Sequence, residues 1–241
     1  MNDIGEFTLL VALATAIYGC VAYIMAARGN RIDLYLSADK TPVIVWGCVV
    51  ISSICLWRAF LTNDFSLQYV WAYSNIELDT FYKFASFWGG QKGSLLFWTL
   101  LLTTYTVVVH FQNRKKNLRV VPYAMAVLLT IIIFFLFLIN FSTNPFERIP
   151  LPPEDGRGLN PLLQNYWMVI HPPTLYLGYV GFTVPFAFAV AALLSKNLDD
   201  GWIRLTRKWT LISWFFLCMG NLFGASWAYV ELGWGLSLIH I

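Results

Sequence analysis

The chain has 241 residues, of which 58% are hydrophobic and only 12% are charged, and its net charge is +3. Soluble globular proteins carry about 25% charged residues, so this composition excludes a water-soluble domain, a disordered chain and a disulfide-stapled secreted module. The small positive excess does not indicate a nucleic-acid surface, and we expect no nucleic-acid partner. The composition predicts an integral membrane protein surrounded by membrane lipid.

Six stretches are long and apolar enough to cross a membrane, since a helical span needs about 20 mainly apolar residues. They cover residues 7–27, 41–61, 93–110, 120–141, 174–194 and 209–230. None alternates like a barrel strand, so helices are expected. The sequence predicts an all-α polytopic membrane protein with six transmembrane helices, the fifth kinked at Pro185.

The basic residues alternate between the loops and predict the orientation. Four Lys and Arg residues lie in the long loops 62–92 and 142–173, namely Lys83, Lys92, Arg148 and Arg157. Eleven lie in the other loops, namely Arg28, Arg31, Lys40, Arg114, Lys115, Lys116, Arg119, Lys196, Arg204, Arg207 and Lys208. Because basic loops stay in the cytoplasm, we expect both long loops and both termini on the outer side, the periplasm of a bacterium.

The four cysteines are Cys20, Cys48, Cys55 and Cys218, all within apolar stretches and none in a C-x-x-C pair. This pattern favours buried structural thiols over redox or metal-binding ones. If the function involves thiols, a partner supplies them.

A glycine-rich segment, Trp88-Gly89-Gly90-Gln91-Lys92-Gly93-Ser94, opens the third span. It superficially resembles a phosphate loop but lacks a Lys directly before Ser or Thr at the required spacing. Taken alone, it is typical of an interfacial turn with an aromatic belt.

His171-Pro172-Pro173-Thr174 is predicted to open the fifth helix, because proline suits the first helical turn. A histidine just before a helix N-terminus favours neutral imidazole, which is the form that binds a metal or haem iron. The alternative is a capping or loop histidine. His110, beside a basic loop at the end of the third span, is interpreted only as a cation that suits the helix dipole.

Near the end of the chain, Trp227, Glu231 and Trp234 would share one helix face because they are spaced i, i+4 and i+7. Two indoles at the outer end form either part of the aromatic belt or a cradle for a large planar ligand.

Together, W-G-G-Q-x-G-S at residues 88–94, H-P-P-T at 171–174 and W-A-x-x-E-L-G-W-G at 227–235 resemble the CcmF family of cytochrome c-type biogenesis proteins. These are haem lyase subunits of the haem-handling superfamily named for its WWD motif. The resemblance covers residues 1–235, about the first third of a full-length member.

The resemblance implies a function in the bacterial inner membrane, on its periplasmic face. Haem b would be taken from a CcmE-type haem chaperone and joined, with a CcmH-type partner, to the C-x-x-C-H thiols of apocytochrome c. It implies that His171 is a haem axial ligand, and that Trp227, Trp234 and, more weakly, Trp88 form the haem cradle.

The chain departs from the family after Gly235. Residues 236–241 do not continue toward W-x-W-D, and we interpret them as a non-native or frame-shifted tail. The family's second periplasmic histidine and the histidines of its transmembrane haem site have no counterpart here.

Three alternatives stay open at this point. One is the paralogous lyase subunit for nitrite reductase cytochromes, which shares these motifs. Another is a haem-free transporter or channel subunit, which predicts charged or polar groups at mid-membrane. The third is a purely structural assembly subunit.

Overall fold

The computed structural model describes residues 1–29, 31–113 and 119–231. Ten α-helices account for most of these ranges. They are α1 (Asn2–Gly29), α2 (Ile32–Ala38), α3 (Thr41–Leu61), α4 (Gln68–Tyr73), α5 (Thr80–Ala85), α6 (Gln91–Asn113), α7 (Val121–Phe141), α8 (Tyr166–Gly181), α9 (Thr183–Leu194) and α10 (Gly201–Glu231). Short 3₁₀ turns at Ser86–Trp88 and Pro161–Leu163 complete the helical structure.

Within the described ranges, six helical segments are long and apolar enough to cross a membrane. They are Asn2–Gly29, Ile32–Leu61, Gln91–Asn113, Val121–Phe141, Tyr166–Leu194 and Gly201–Glu231. The predicted all-α, six-span polytopic fold is confirmed. The predicted second span coincides with α3, whereas the fifth and sixth begin earlier than predicted.

The first four long helices form the body of the protein. α1 packs against both α3 and α7, and α6 closes the group by packing against α3 and α7. Tyr23 and Leu128 are among the largest fully buried side chains in this body. α8 packs mainly against α10, and α9 mainly against α7.

The fifth span is interrupted where the sequence predicts a kink. α8 ends at Gly181 and α9 begins at Thr183, with Phe182 between them. Pro185 has no backbone N–H, so the carbonyl of Gly181 loses its normal helical donor. The proline therefore divides one span into two helices with different neighbours.

The two long loops lie against each other at one end of the bundle, which we call the loop end. Leu67 and Arg148 form an isolated antiparallel bridge. On either side of it, the N–H of Gln68 donates to the carbonyl of Glu147, and that of Ile149 to Ser66, both at 2.9 Å. The opposite end, which carries the loops around α2 and the start of α10, is called the basic end.

The start of α1 is also fixed at the loop end. The side-chain amide of Asn2 donates to Oδ2 of Asp64 at 2.8 Å, and Asp3 forms an ion pair with Arg148. Burial raises the pKa of the Asp64 carboxyl, but hydrogen bonds from Ser66 and Asn2 outweigh burial and hold it below its usual range. Asp64 is therefore a charged anchor between the first loop and α1.

At the basic end, His110 is buried in α6, and its Nδ1 lies 3.5 Å from Oδ1 of Asp39. This residue joins α6 to the junction between α2 and α3. His110 therefore contacts the carboxylate of Asp39, in addition to lying near the helix terminus that the sequence suggests.

Candidate functional site

The contact between α8 and α10 is unusually close because glycines line it. A Cβ atom on Gly178 would lie 2.3 Å from the backbone nitrogen of Leu217, and one on Gly220 would lie 2.6 Å from Cα of Leu175. Gly220 and Gly224 form a G-x-x-x-G pattern, which allows membrane helices to approach backbone to backbone. The approach brings backbone groups of α10 within reach of side chains on α8.

His171 lies inside α8 rather than before it, so the predicted helix start at His171–Thr174 is wrong. α8 begins at Tyr166, where the side chain of Asn165 accepts a hydrogen bond from the N–H of Trp167. This cap supplies the start that the prolines were expected to supply. Because the dipole effect falls off within the first turn, it does not reach the sixth residue of the helix, and another contact must orient this imidazole.

That contact is a hydrogen bond across the glycine-lined seam. Nδ1 of His171 lies 2.7 Å from the carbonyl oxygen of Gly220. A carbonyl only accepts, so Nδ1 carries the proton of the bond and neutral imidazole is left with its lone pair on Nε2. A Cβ atom on Gly224 would lie 2.6 Å from Cε1 of His171, so the ring occupies space that only glycine leaves open.

Trp227 lies beside His171 and belongs to α10, one turn after Gly224. The two rings are nearly parallel, with a centroid separation of 6.3 Å and an interplanar angle of 28°. Nε1 of Trp227 donates to the carbonyl of Leu162 at 3.3 Å. The side chain of Asn165 donates to the carboxylate of Glu231, which lies one turn after Trp227 in α10. The end of the second long loop is thus fastened to the end of α10, next to the imidazole.

The glycine-rich segment at residues 88–94 forms a tight turn around Tyr69. The hydroxyl of Tyr69 accepts from the N–H of Gly90 at 3.0 Å and lies within hydrogen-bonding distance of the carbonyls of Ser86, Phe87 and Gly90. Burial raises the pKa of this phenol far above its ordinary value. A Cβ on Gly93 would lie 1.8 Å from the Phe87 carbonyl oxygen. These contacts agree with the interpretation of the segment as a structural turn.

Trp88 itself is buried, with 7% of its surface exposed. Its ring lies 5.6 Å from that of Phe84 and 5.3 Å from that of Phe97. Phe97 in turn contacts Tyr176 of α8 at 6.0 Å. Trp88 is therefore connected to the helix of His171 through one intervening ring, that of Phe97, and its assignment to a haem cradle stays a prediction.

Trp227 and Glu231 both lie in α10, four residues apart, which agrees with the predicted shared face. Trp234 and the segment 236–241 lie outside the described residues, so the cradle assignment of Trp234 and the interpretation of the tail stay predictions. The described site is therefore built from His171, Trp227 and the backbone of Gly220.

The family model described as cytochrome C assembly protein matches residues 88–240, which include the turn at Trp88, His171 and Trp227. The chain belongs to the cytochrome c assembly protein family.

Within this family, the chain is 40% identical over 236 residues to the cytochrome c-type biogenesis protein CcmF of Escherichia coli strain K12, covering 98% of the chain and 36% of that relative. It is 39% identical over 235 residues to the cytochrome c-type biogenesis protein NrfE of Haemophilus influenzae, covering 98% of the chain and 37% of the relative. The chain spans about a third of the length of these cytochrome c assembly proteins.

A solved structure of the cytochrome c haem lyase CcmF has the same fold. The TM-score is 0.82 at 29% identity, and the match covers 95% of this chain and 36% of that one. The cytochrome c assembly family is therefore supported by sequence and by three-dimensional structure.

Proposed function

We propose that this chain is part of a haem lyase subunit that binds haem at the loop end and promotes its covalent attachment to apocytochrome c. The loop end faces the periplasm of a bacterial inner membrane, in agreement with the eleven basic residues in the loops of the other end. Haem b is the cargo, and His171 is an axial ligand of its iron.

The hydrogen bond from Nδ1 of His171 to the Gly220 carbonyl is the observation that carries this proposal. Histidines that bind metals almost always donate their other ring N–H to a carbonyl, a carboxylate or water, which fixes the tautomer and the ring orientation. In this arrangement Nε2 of His171 keeps its lone pair and can coordinate haem iron.

Trp227 has a positioning role in this proposal. An imidazole that binds iron through Nε2 holds the metal in its own ring plane. Trp227, whose ring lies nearly parallel to that imidazole, supports its orientation and is also proposed as part of the haem cradle. Trp234 and, more weakly, Trp88 complete the proposed cradle.

The chain orients reactive groups that other molecules supply. When bound, haem supplies vinyl groups, and each substrate thiol adds its sulfur to one vinyl carbon and its hydrogen to the other. The four cysteines of this chain lie in the spans, at Cys20, Cys48, Cys55 and Cys218. None of them belongs to a C-x-x-C pair, so in this proposal the thiols come from the C-x-x-C-H segment of the apocytochrome. Holding such partners in register accounts for large rate effects.

The proposed partners are a CcmE-type haem chaperone, which delivers the haem, and a CcmH-type protein, which presents the apocytochrome. The second candidate function is the paralogous lyase subunit devoted to nitrite reductase cytochromes. It has equal support, because the identities to the CcmF and NrfE relatives are 40% and 39%. Complementation of strains that lack one or the other subunit distinguishes the two.

The test uses the full-length protein with His171→Gly, which removes the ligand and leaves a space for imidazole. We expect the haem absorbance of the purified protein and the yield of covalent cytochrome c to fall. Millimolar imidazole should restore the absorbance, because it replaces the missing ring. Unchanged absorbance and yield in His171→Gly would refute the ligand assignment, and a protein without any haem absorbance would favour a transporter or a structural subunit.

A further inference from the structure

A cavity opens between α6 and α10 at the basic end, far along the helices from His171. Its volume is about 530 Å³, and side chains from both helices line it. α10 packs mainly on α8 and α9, so α6 and α10 diverge here and leave a wedge. The wedge is partly open at the surface of the described helices.

Two cations border the wedge. Arg204 and Lys208 both line it and stand four residues apart on α10, so they share one face of the helix. Both side chains are exposed, and neither forms an ion pair within residues 1–29, 31–113 and 119–231. Arg204 and Lys208 are therefore available to contact an anionic group.

Apolar side chains line the same wedge next to the cations. Val108 on α6 and Leu205 and Ile212 on α10 contribute to its walls. Trp209 also lines the wedge, and its Nε1 donates to Oε1 of Gln112 at 3.3 Å. Tryptophan with its N–H hydrogen-bonded is typical of the membrane–water interface. The wedge thus combines two cations with an apolar wall at the basic end of the bundle.

We propose that this wedge binds one anionic phospholipid. Its phosphodiester group contacts Arg204 and Lys208, and an acyl chain follows Val108 and Ile212 toward the middle of the membrane. Basic pockets between transmembrane helices on the positively charged side are suited to anionic headgroups. The apolar wall distinguishes a lipid from free phosphate, because inorganic phosphate gains nothing from it. This inference does not depend on the proposed haem site.

The experiment is native mass spectrometry of the delipidated full-length protein, titrated with phosphatidylglycerol or with phosphatidylcholine. The test variant is the double substitution Arg204→Gln and Lys208→Gln. The matched control is Arg207→Gln, which removes a cation from the same turn of α10 that does not line the wedge. A second variant, Val108→Trp, fills the wedge and keeps both cations.

We expect phosphatidylglycerol to bind one site more tightly than phosphatidylcholine. A cation near an anionic lipid contributes a factor of about five, so the double substitution should weaken binding by about 25-fold. Arg207→Gln should change it by less than about fivefold. Val108→Trp should abolish the one-lipid adduct, and millimolar inorganic phosphate should not compete.

Several outcomes would overturn the proposal. Equal losses in Arg207→Gln and the double variant would show that only general surface charge attracts the lipid. Unchanged binding in Val108→Trp would place the lipid elsewhere. Competition by inorganic phosphate would indicate a phosphate site without an acyl chain. Absence of any adduct in the intact protein would indicate that a protein segment fills the wedge.

Discussion

Gly224→Ala tests the His171 site without removing any functional group. The added methyl carbon would lie 2.6 Å from Cε1 and 2.8 Å from Nδ1 of His171. Ordinary contacts begin at about 3.4 Å, so the imidazole must move by about 0.8 Å. That movement is large enough to break the 2.7 Å bond to Gly220.

The expected effect follows from two terms. The lost hydrogen bond contributes about 0.5–1.5 kcal/mol, and a misplacement of about 1 Å costs up to about 100-fold in rate. We therefore expect Gly224→Ala to lower the rate of covalent cytochrome c formation by roughly 10- to 100-fold. The assay is haem-stained cytochrome c yield over time in cells that carry the full-length variant at equal protein levels.

Gly47→Ala is the matched control. Gly47 lies in α3, another membrane-spanning helix, and a Cβ there would meet no atom within 4 Å. Its replacement by alanine should leave the yield unchanged, since alanine favours the helix by about 1 kcal/mol. If Gly224→Ala keeps the full rate while His171→Gly loses it, the seam does not position the imidazole and our reasoning is wrong.

Three further substitutions probe the surroundings of the site. Gly93→Ala should lower the free energy of unfolding by about 3 kcal/mol, because the added Cβ would lie 1.8 Å from the carbonyl oxygen of Phe87. Thermal unfolding, followed by size-exclusion chromatography, measures this loss of stability. Asn165→Ala removes a helix cap, which is worth about 1 kcal/mol, and the bond to α10, so haem retention on a desalting column should fall. The Asp64 carboxyl has a lowered pKa, so its charged form stabilises the fold at pH values above the ordinary pKa of 3.8. This contribution is lost as the pH falls below that pKa. Asp64→Asn should therefore flatten the decline of melting temperature between about pH 5 and pH 2.

Each of these results has a clear contrary outcome. A Gly93→Ala protein as stable as Gly47→Ala would mean that the turn relaxes easily. Full haem retention in Asn165→Ala would mean that the loop does not hold α10. An unchanged acid decline in Asp64→Asn would assign the pH dependence to other carboxyl groups.

The number and nature of the spans could be predicted from the sequence because apolar length alone determines them. The start of the fifth helix could not, because proline in a first turn is a tendency and the cap at Asn165 lies upstream of the prolines. The sixth helix begins at Gly201, earlier than predicted. Its first turns carry Arg204, Arg207 and Lys208, whose charged ends can reach the headgroups while their stems lie along the helix.

The candidate site was partly predictable. His171 and Trp227 were identified from the sequence, but their contact was not, because it joins residues more than 50 positions apart in the chain. The hydrogen bond to Gly220 spans 49 residues and involves a backbone atom, which leaves no side-chain signal. The G-x-x-x-G pattern at Gly220 and Gly224 was the available clue to a close helix pair.

The division of the fifth span has a mechanical consequence. Its half at the loop end, α8, packs mainly against α10, whereas its half at the basic end, α9, packs mainly against α7 and also contacts α10. A shift of α8 and α10 as a pair would therefore require the contacts between α9 and α10 to change. Such a shift would carry His171, Gly220 and Trp227 together, with their hydrogen bond and ring contact intact.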